Sequence, residues 1–159
     1  MERQGFLVTT EEVFKMNENP LKQIIAKQKA GEAVGIYSAC SANSYVIEAA
    51  IECAKRDNSC VLIEATANQV DQNGGYTGMT PASFYGFLQR LADEEGVPPE
   101  KVLCGGDHLG PLTWQDLPED QAMANAEELI RSYVLAGFSK IHIDTSMRVA
   151  DDDPKQPLS

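Results

Sequence analysis

The sequence predicts an α/β fold, a TIM (β/α)8 barrel of which this chain carries about the N-terminal half. Strand and helix patterns alternate four times, and the clearest strands are apolar throughout, as expected when both faces of a parallel sheet are covered. Polar residues also recur at every predicted strand end. A doubly wound sheet gathers its ligand loops at one switch point, whereas a barrel brings all strand ends to a common rim, so this pattern favours the barrel.

The first predicted element is a helix over 20–30. Asn19 is a suitable N-cap, Pro20 suits the first helical position and Gly31 follows as a stop. Its apolar residues predict one buried stripe, made of Leu21, Ile24, Ile25 and Ala26. A short strand is predicted next, over 32–37.

The later elements follow the same alternation. Helices are predicted over 44–55, from Pro81 to the residue before Gly96, and over 120–136, and Thr80 caps the second of them. Strands are predicted over 60–65, 102–106 and 140–143. Apolar residues at helical spacing predict the buried faces, made of Val46, Ile47, Ala50, Ile51, Phe84, Phe87, Leu88, Leu91, Ala124, Leu129 and Val134.

Four units are half of the eight that close a barrel, and the tail after the last strand has no helix to cover it. We therefore expect an N-terminal extension over 1–18, followed by the truncated N-terminal part of a single barrel domain over 19–159.

Composition narrows the choice of partners. The 159 residues include 24 acidic and 13 basic side chains, a net charge of −11, which argues against nucleic acid as a partner. No window approaches the roughly 18 apolar residues of a membrane span, and the first residues do not resemble a signal peptide, so we expect a cytoplasmic protein without a membrane partner.

Four cysteines without C-x-x-C spacing are expected to be buried thiols: Cys40, Cys53, Cys60 and Cys104.

The pair Asp107-His108 closes an apolar strand that ends in two glycines. If the chain begins to turn there, both side chains reach one cavity, with His108 as a neutral imidazole ligand for a divalent metal and Asp107 as a catalytic general acid/base. The alternative is that Asp107 caps a helix and His108 is a hydrogen-bonded loop histidine.

Two further strands carry polar residues. Glu64 is a carboxylate in an otherwise apolar strand, so it needs a cation or hydrogen-bond donors. It either orients a metal or substrate hydroxyl, in which case it is a catalytic residue beside Asp107, or it pairs with a lysine or arginine of a neighbouring strand. His142 and Asp144 alternate with two isoleucines and therefore share one face, which is the barrel interior if the isoleucines face the helices. A satisfied core histidine is the alternative for His142.

The loop between the second strand and the Thr80 cap is rich in glycine, amide and hydroxyl groups, good material for binding an anion or a sugar. It supplies most of the predicted substrate-binding set, which consists of Asn68, Gln69, Gly75, Tyr76, Thr77, His142 and Asp144. No P-loop motif occurs in the sequence, and a tight turn before the helix is the alternative for the glycines.

Several long motifs in one order resemble the family of the non-catalytic subunit of class II D-tagatose-1,6-bisphosphate aldolase, also labelled tagatose-6-phosphate kinase. These are Gly35-Ile36-Tyr37-Ser38-Ala39-Cys40-Ser41-Ala42, Leu62-Ile63-Glu64-Ala65-Thr66, Gly74-Gly75-Tyr76-Thr77-Gly78-Met79-Thr80-Pro81, Gly105-Gly106-Asp107-His108-Leu109-Gly110-Pro111 and Gly137-Phe138-Ser139-Lys140-Ile141-His142-Ile143-Asp144. The resemblance extends from Lys22 to Leu158.

The resemblance implies a TIM barrel longer than this chain, and a role in galactitol, N-acetylgalactosamine or tagatose catabolism in support of a catalytic class II aldolase subunit. Some relatives are described instead as 4-epimerases acting between fructose 6-phosphate and tagatose 6-phosphate, and a kinase is the third alternative. Asp107-His108 resembles the Asp-His pair of class II aldolases, in which the aspartate is an acid/base and the histidine a zinc ligand. The remaining metal-binding histidines of that family would fall beyond Ser159. A phosphorylated ketohexose is the implied ligand, and a homo-oligomer is left open.

Overall fold

The computed structural model describes residues 19–153 and Lys155. The chain divides into two compact units, Met1–Ile36 and Tyr37–Ser159. The predicted extension over 1–18 lies outside the described residues.

Helix α1 (Pro20–Lys29) lies in the first unit and begins where the sequence predicts. The Asn19 side chain accepts a hydrogen bond from the Leu21 N–H at 3.0 Å, which satisfies one of the unpaired donors of the first turn. The predicted buried stripe is wrong: no residue of α1 is buried, and Ile25 is 48% exposed.

The predicted strand over 32–37 is also wrong, because strand β1 is Ser38–Cys40. Val34 N–H donates to Glu32 C=O at 2.9 Å, a tight local turn that is incompatible with an extended ladder. Pairing with the next strand starts only at Ser38, which lies opposite Leu62.

The second unit contains a parallel sheet in the order β1-β2-β3-β4, completed by β2 (Val61–Thr66), β3 (Val102–Leu109) and β4 (Lys140–Ile143). Helices α2 (Ser44–Asp57), α3 (Pro81–Glu95) and α4 (Glu119–Ala136) connect the strands, with single 3-10 turns at Pro99–Lys101 and Leu112–Trp114. The prediction of an α/β fold with parallel strands is confirmed. Sequential strand order is what a partial barrel shows, whereas a doubly wound sheet reverses its order at a switch point.

Helix boundaries follow the predicted caps at α3. The Thr80 side chain accepts from the Ser83 N–H, and Gly96 ends the helix in the left-handed conformation that glycine adopts without steric cost. Helix α4 instead begins after Pro118, one residue before the predicted start, and ends at Gly137, which is also left-handed.

The core of this unit lies on one face of the sheet. Side chains of the three helices pack there on β2 and β3, and the fully buried members include Ile47, Ile51, Phe84, Leu88, Leu129, Tyr133, Val61 and Ile63. The buried face of α4 is Ala122, Ala126, Leu129 and Tyr133. Ala124 and Val134 lie off this stripe and are exposed, and Val46 is exposed on α2, so these three core predictions are wrong.

All four cysteines are free thiols, but only Cys104 is buried. Cys40 is exposed, and Cys53 and Cys60 are half-buried, so the prediction of buried thiols holds only for Cys104. Within the described part of the chain, no helix is both long enough and apolar enough to cross a membrane.

Candidate metal centre

The sheet face opposite the core carries polar side chains toward the carboxyl ends of the strands. Strand register places Cys40 beside Glu64, Glu64 beside Gly105, and Gly105 beside Lys140, so these residues form one row across all four strands. Because alternate strand residues point to the same side, Asp107 and His142 lie on this face one step further along their strands.

A β-bulge in β3 brings Asp107 and His108 together. Gly106 pairs with Ile141 and Leu109 with Ile143, so two residues of β3, Asp107 and His108, face the single residue His142 of β4. His108 has a φ of +50°, a left-handed conformation that is uncommon outside glycine. A bulge of this kind redirects side chains and recurs beside functional sites. The strand therefore continues to Leu109 and does not end at Gly106 as predicted, and Asp107 lies within it, not at a helix N-terminus.

Asp107, His108 and His142 form a compact triad. The Asp107 Oδ1 atom lies 2.8 Å from His142 Nδ1, and Asp107 Oδ2 lies 3.0 Å from His108 Nδ1. The two imidazole rings meet edge to face with 4.6 Å between centroids. One ligand atom from each of the three residues lies within 4.8 Å of the others, close enough to bind a common metal ion.

Asp107 is held as a carboxylate. Partial burial raises its pKa, but hydrogen bonds from His142 and His108 outweigh burial, and the nearby charges of His108 and Lys140 act in the same direction, so the pKa falls to about 2. An ionised carboxylate can only accept hydrogen bonds, so a neutral ring that bonds to it carries its proton on Nδ1. The Nε2 lone pairs of both rings are then left for another ligand, and both side chains are about half exposed.

The His108 backbone N–H also approaches the Nδ1 atom of His142, at 3.5 Å. The 2.8 Å contact of that ring with Asp107 is much shorter and involves a charge, so it sets the position of the proton on the ring.

Glu64 is almost completely buried, with 4% of its side chain exposed. It forms an ion pair with Lys140 and accepts a hydrogen bond from the Ser38 hydroxyl. Sequence analysis left open a lysine or arginine on a neighbouring strand; the partner is a lysine, but it lies on β4, two strands away from Glu64 on β2. Lys140 Nζ also lies 3.6 Å from Asp107 Oδ1, which connects Glu64 to the triad.

Sequence analysis missed the contributions of Lys140, Ser38 and Cys40. Burial raises the pKa of the Cys40 thiol to about 11, and the neighbouring Asp107, to which it is hydrogen-bonded, acts in the same direction, so the thiol stays protonated at neutral pH. One signal was available for Lys140, since it lies two residues before His142 and must share its face. Its contact with Glu64 depends on register across three strands, which local sequence does not encode.

Several loop residues of the predicted substrate-binding set line a cleft to which the triad does not contribute. Asn68, Gly75 and Tyr76 line a cleft of about 470 Å³ whose remaining lining residues are Asp71, Asn73 and Thr113. Gln69 is used within the loop, where its side chain accepts from the Thr66 N–H and its carbonyl accepts from the Thr77 hydroxyl.

The backbone donors of this loop are largely consumed internally. The N–H groups of Asn73 and Gly75 bond to the Asp71 carboxylate, those of Gly74 and Tyr76 bond to loop carbonyls, and Thr77 N–H makes a longer contact with the Gln69 carbonyl. A cleft lined by one carboxylate, amides and hydroxyls suits sugar hydroxyls better than a phosphate group.

Asp144 follows β4, and its carboxylate accepts hydrogen bonds from both the hydroxyl and the N–H of Ser146, which lower its pKa. Of the two isoleucines expected to face the helices, Ile141 packs against the core, whereas Ile143 is 55% exposed. Side chains of β4 therefore alternate between the core and the polar face from Lys140 to His142, and the alternation stops before Ile143.

Residues 21–159 match the family described as D-tagatose-1,6-bisphosphate aldolase subunit GatZ/KbaZ-like. The chain belongs to the GatZ/KbaZ-like family. A solved structure described as a probable tagatose 6 phosphate kinase from Sinorhizobium meliloti 1021 is 55% identical, with a TM-score of 0.74 over 77% of this chain and 32% of that chain. This GatZ/KbaZ-like chain thus spans about a third of the length of the protein it matches. The resemblance seen in the sequence motifs is confirmed.

Proposed function

We propose that this chain acts in a subunit that supports a catalytic class II aldolase in D-tagatose 1,6-bisphosphate metabolism. The observation that carries the proposal is the family match over residues 21–159. Galactitol, N-acetylgalactosamine or tagatose catabolism is the expected setting, and the cytoplasm, where phosphorylated ketohexoses are metabolised, is the expected location.

We further propose that the triad holds a divalent metal, with zinc as the first candidate. The residues of the triad support this assignment, because zinc binds imidazole nitrogen, and histidine ligands of zinc commonly donate their other ring N–H to a carboxylate such as Asp107. His108 and His142 are the proposed ligands, and Asp107 lies in contact with both. A bound metal of this type would supply a Lewis acid for the carbonyl oxygen of a ketose phosphate.

We propose Asp107 as the acid/base of this site. Its pKa of about 2 keeps it ionised at neutral pH but also makes it a weak base, so taking a proton from a bound substrate would require its contacts with the imidazoles to loosen. The same chemistry would serve a 4-epimerase, which is therefore an outcome of the assay below and not a second proposal. The kinase name belongs to the Sinorhizobium protein, and this sequence contains no P-loop motif.

Co-expression with a catalytic class II D-tagatose-1,6-bisphosphate aldolase subunit tests the proposal. We expect the two chains to co-purify, the aldolase half-life on warming to lengthen because binding stabilises the folded partner, and zinc to be recovered with this chain. An aldolase half-life that is the same with and without the chain contradicts the supporting role.

The chain alone, with zinc and fructose 6-phosphate, provides the control. Formation of tagatose 6-phosphate by this chain, lost in His108→Ala, would assign it the epimerase activity instead. Retention of zinc at full stoichiometry in His108→Ala would contradict the metal assignment.

A further inference from the structure

The ion pair between Glu64 and Lys140 lies in the row of the sheet directly beneath the triad. We propose that Glu64 and Lys140 are positioning residues, which fix the Asp107 carboxylate and through it both imidazoles, and that Glu64 does not exchange protons with a substrate. This inference rests on the metal site of the proposed function.

Gly105 makes the pair geometrically feasible. In the sheet it lies on β3, between Glu64 on β2 and Lys140 on β4. Side chains on two strands that flank a third are normally kept apart by the side chain that the middle strand places between them. A Cβ atom at position 105 would lie 2.7 Å from Glu64 Oε1. The missing side chain of Gly105 is therefore the space in which the Glu64 carboxylate meets the Lys140 ammonium.

The burial of Glu64 makes the pair necessary. A carboxylate removed from water is strongly unfavourable unless it is paired and hydrogen-bonded. Ser38 donates to one oxygen of Glu64 and Lys140 pairs with the other. With both oxygens engaged and only 4% of the side chain exposed, Glu64 is poorly placed to reach a substrate.

Lys140 connects this buried pair to the triad. Its Nζ atom lies 3.6 Å from Asp107 Oδ1, the same oxygen that contacts His142 Nδ1 at 2.8 Å. Asp107 can rotate about its side-chain bonds, and its orientation decides which ring nitrogens stay protonated and where both rings point. A cation anchored by a buried carboxylate holds Asp107 in the orientation that serves both histidines.

Cobalt binding by the intact chain tests the proposal, with Co²⁺ as the probe because its visible absorption reports coordination geometry. Partners that orient metal ligands typically contribute 10- to 100-fold to metal affinity. We expect the Co²⁺ dissociation constant to rise roughly 10-fold or more in Glu64→Gln and in Lys140→Met, with an altered absorption spectrum. In the double variant the loss should be smaller than the product of the two single losses, because one pair is removed in each case.

Two surface changes serve as matched controls. Glu128→Gln removes a carboxylate that forms an ion pair with Arg131 one turn along α4, and Lys101→Met removes an ammonium that bonds to Asn58. Both should leave the Co²⁺ dissociation constant and the absorption spectrum unchanged.

Nitrogen-15 NMR of the metal-free chain gives a second readout that does not depend on metal binding. The chain has two histidines, so both rings can be assigned from His108→Ala and His142→Ala. We expect neutral rings protonated on Nδ1 in the wild type, and a mixture of Nδ1 and Nε2 tautomers for His142 in Lys140→Met.

Glu64→Gln and Lys140→Met could lower thermal stability and leave both the Co²⁺ affinity and the His142 tautomer unchanged. That result would show that the ion pair only stabilises the fold, and it would overturn the inference. A wild-type chain that binds no Co²⁺ would contradict the proposed metal site, whereas the NMR comparison would still decide the positioning role. Losses that multiply in the double variant would also overturn the inference.

Discussion

His108 combines the side chain of a proposed metal ligand with a backbone conformation that favours glycine. Its φ of +50° costs an L-residue roughly 1–2 kcal/mol relative to right-handed backbone. Retention of a non-glycine residue at such a position is typical of sites where the side chain has a function.

This conflict predicts different outcomes for two variants that both remove the imidazole. His108→Gly should be more stable to urea than His108→Ala by about 1 kcal/mol, because glycine relieves the left-handed strain. Both variants should lose metal to the same extent. Equal urea midpoints for the two would indicate that position 108 carries no backbone strain.

The pKa of Asp107 predicts a contribution to acid stability. Its folded pKa, about 2, lies below the ordinary value of 3.8, so the folded state binds fewer protons than the unfolded state between these values. The stabilising contribution is fully present above pH 3.8 and is lost as the pH falls toward 2. Asp107→Asn should therefore show a shallower fall of unfolding free energy across this window than the wild type.

Urea unfolding at a series of pH values measures this effect. Asp116→Asn, which removes an exposed carboxylate, is the control for the loss of one acidic group. An Asp107→Asn profile parallel to that of the wild type below pH 3.8 would contradict the assignment.

At this scale the sequence predicted part of the cluster. The apolar run before Asp107-His108 predicted that these two side chains reach one cavity, and the alternation around His142 predicted that it shares a face with Asp144, whereas the contact of His142 with Asp107 comes from the structure. The bulge was not predictable, because an extra residue is visible only when β3 is aligned with β4. His142 was predicted to bind substrate, and its place in the triad is a finding of the structure.

Among the secondary-structure elements, predictions were most accurate where a cap or a long apolar run marks the boundary. Strand β2 and helix α3 have such signals, and their bounds agree with prediction to within a residue. The strand over 32–37 had β-prone residues but no partner, since β2 pairs only from Ser38 onward. Tertiary pairing decides such short segments, and local propensity does not.

The glycine between the two charged strands predicts a difference between two glycine-to-alanine changes. Gly105→Ala should destabilise the fold by about 1–3 kcal/mol, because its Cβ atom would displace the Glu64 carboxylate into a packed region. Gly86→Ala in the middle of α3 has nothing within 4 Å of the added atom and should stabilise by about 0.5–1 kcal/mol.

Chemical denaturation of the two variants beside the wild type checks both signs. Because both variants add one methyl group, they differ in the space around the Cβ atom and in whether the residue lies in a strand or a helix. A Gly105→Ala variant as stable as the wild type would show that Glu64 moves without cost, which also weakens the positioning role.

Across the whole molecule, the excess of acidic residues affects any metal that binds. A net charge of −11 creates an attractive field for cations, and salt screens it over about 10 Å at 0.1 M ionic strength and about 3 Å at 1 M. We expect the dissociation constant for Co²⁺ to rise roughly three- to tenfold between 20 mM and 1 M NaCl.

Charge reversal far from the triad provides the control. Asp93→Lys with Glu94→Lys, near the C-terminal end of α3, lowers the magnitude of the net charge and should reduce the salt dependence without touching the ligands. A salt dependence that is identical in this variant would assign the effect to the triad alone.

The bulge in β3 places His108 outside the regular ladder between β3 and β4. Gly106 and Leu109 keep their partners on β4, and Leu109 is fully buried in the core despite the extra residue before it. Deleting His108 would leave Asp107 opposite His142 and an uninterrupted ladder, with every core side chain on its present side. The extra residue is thus what gives β3 a second polar side chain opposite His142, and a chain without it would keep the sheet and lose His108 from the triad.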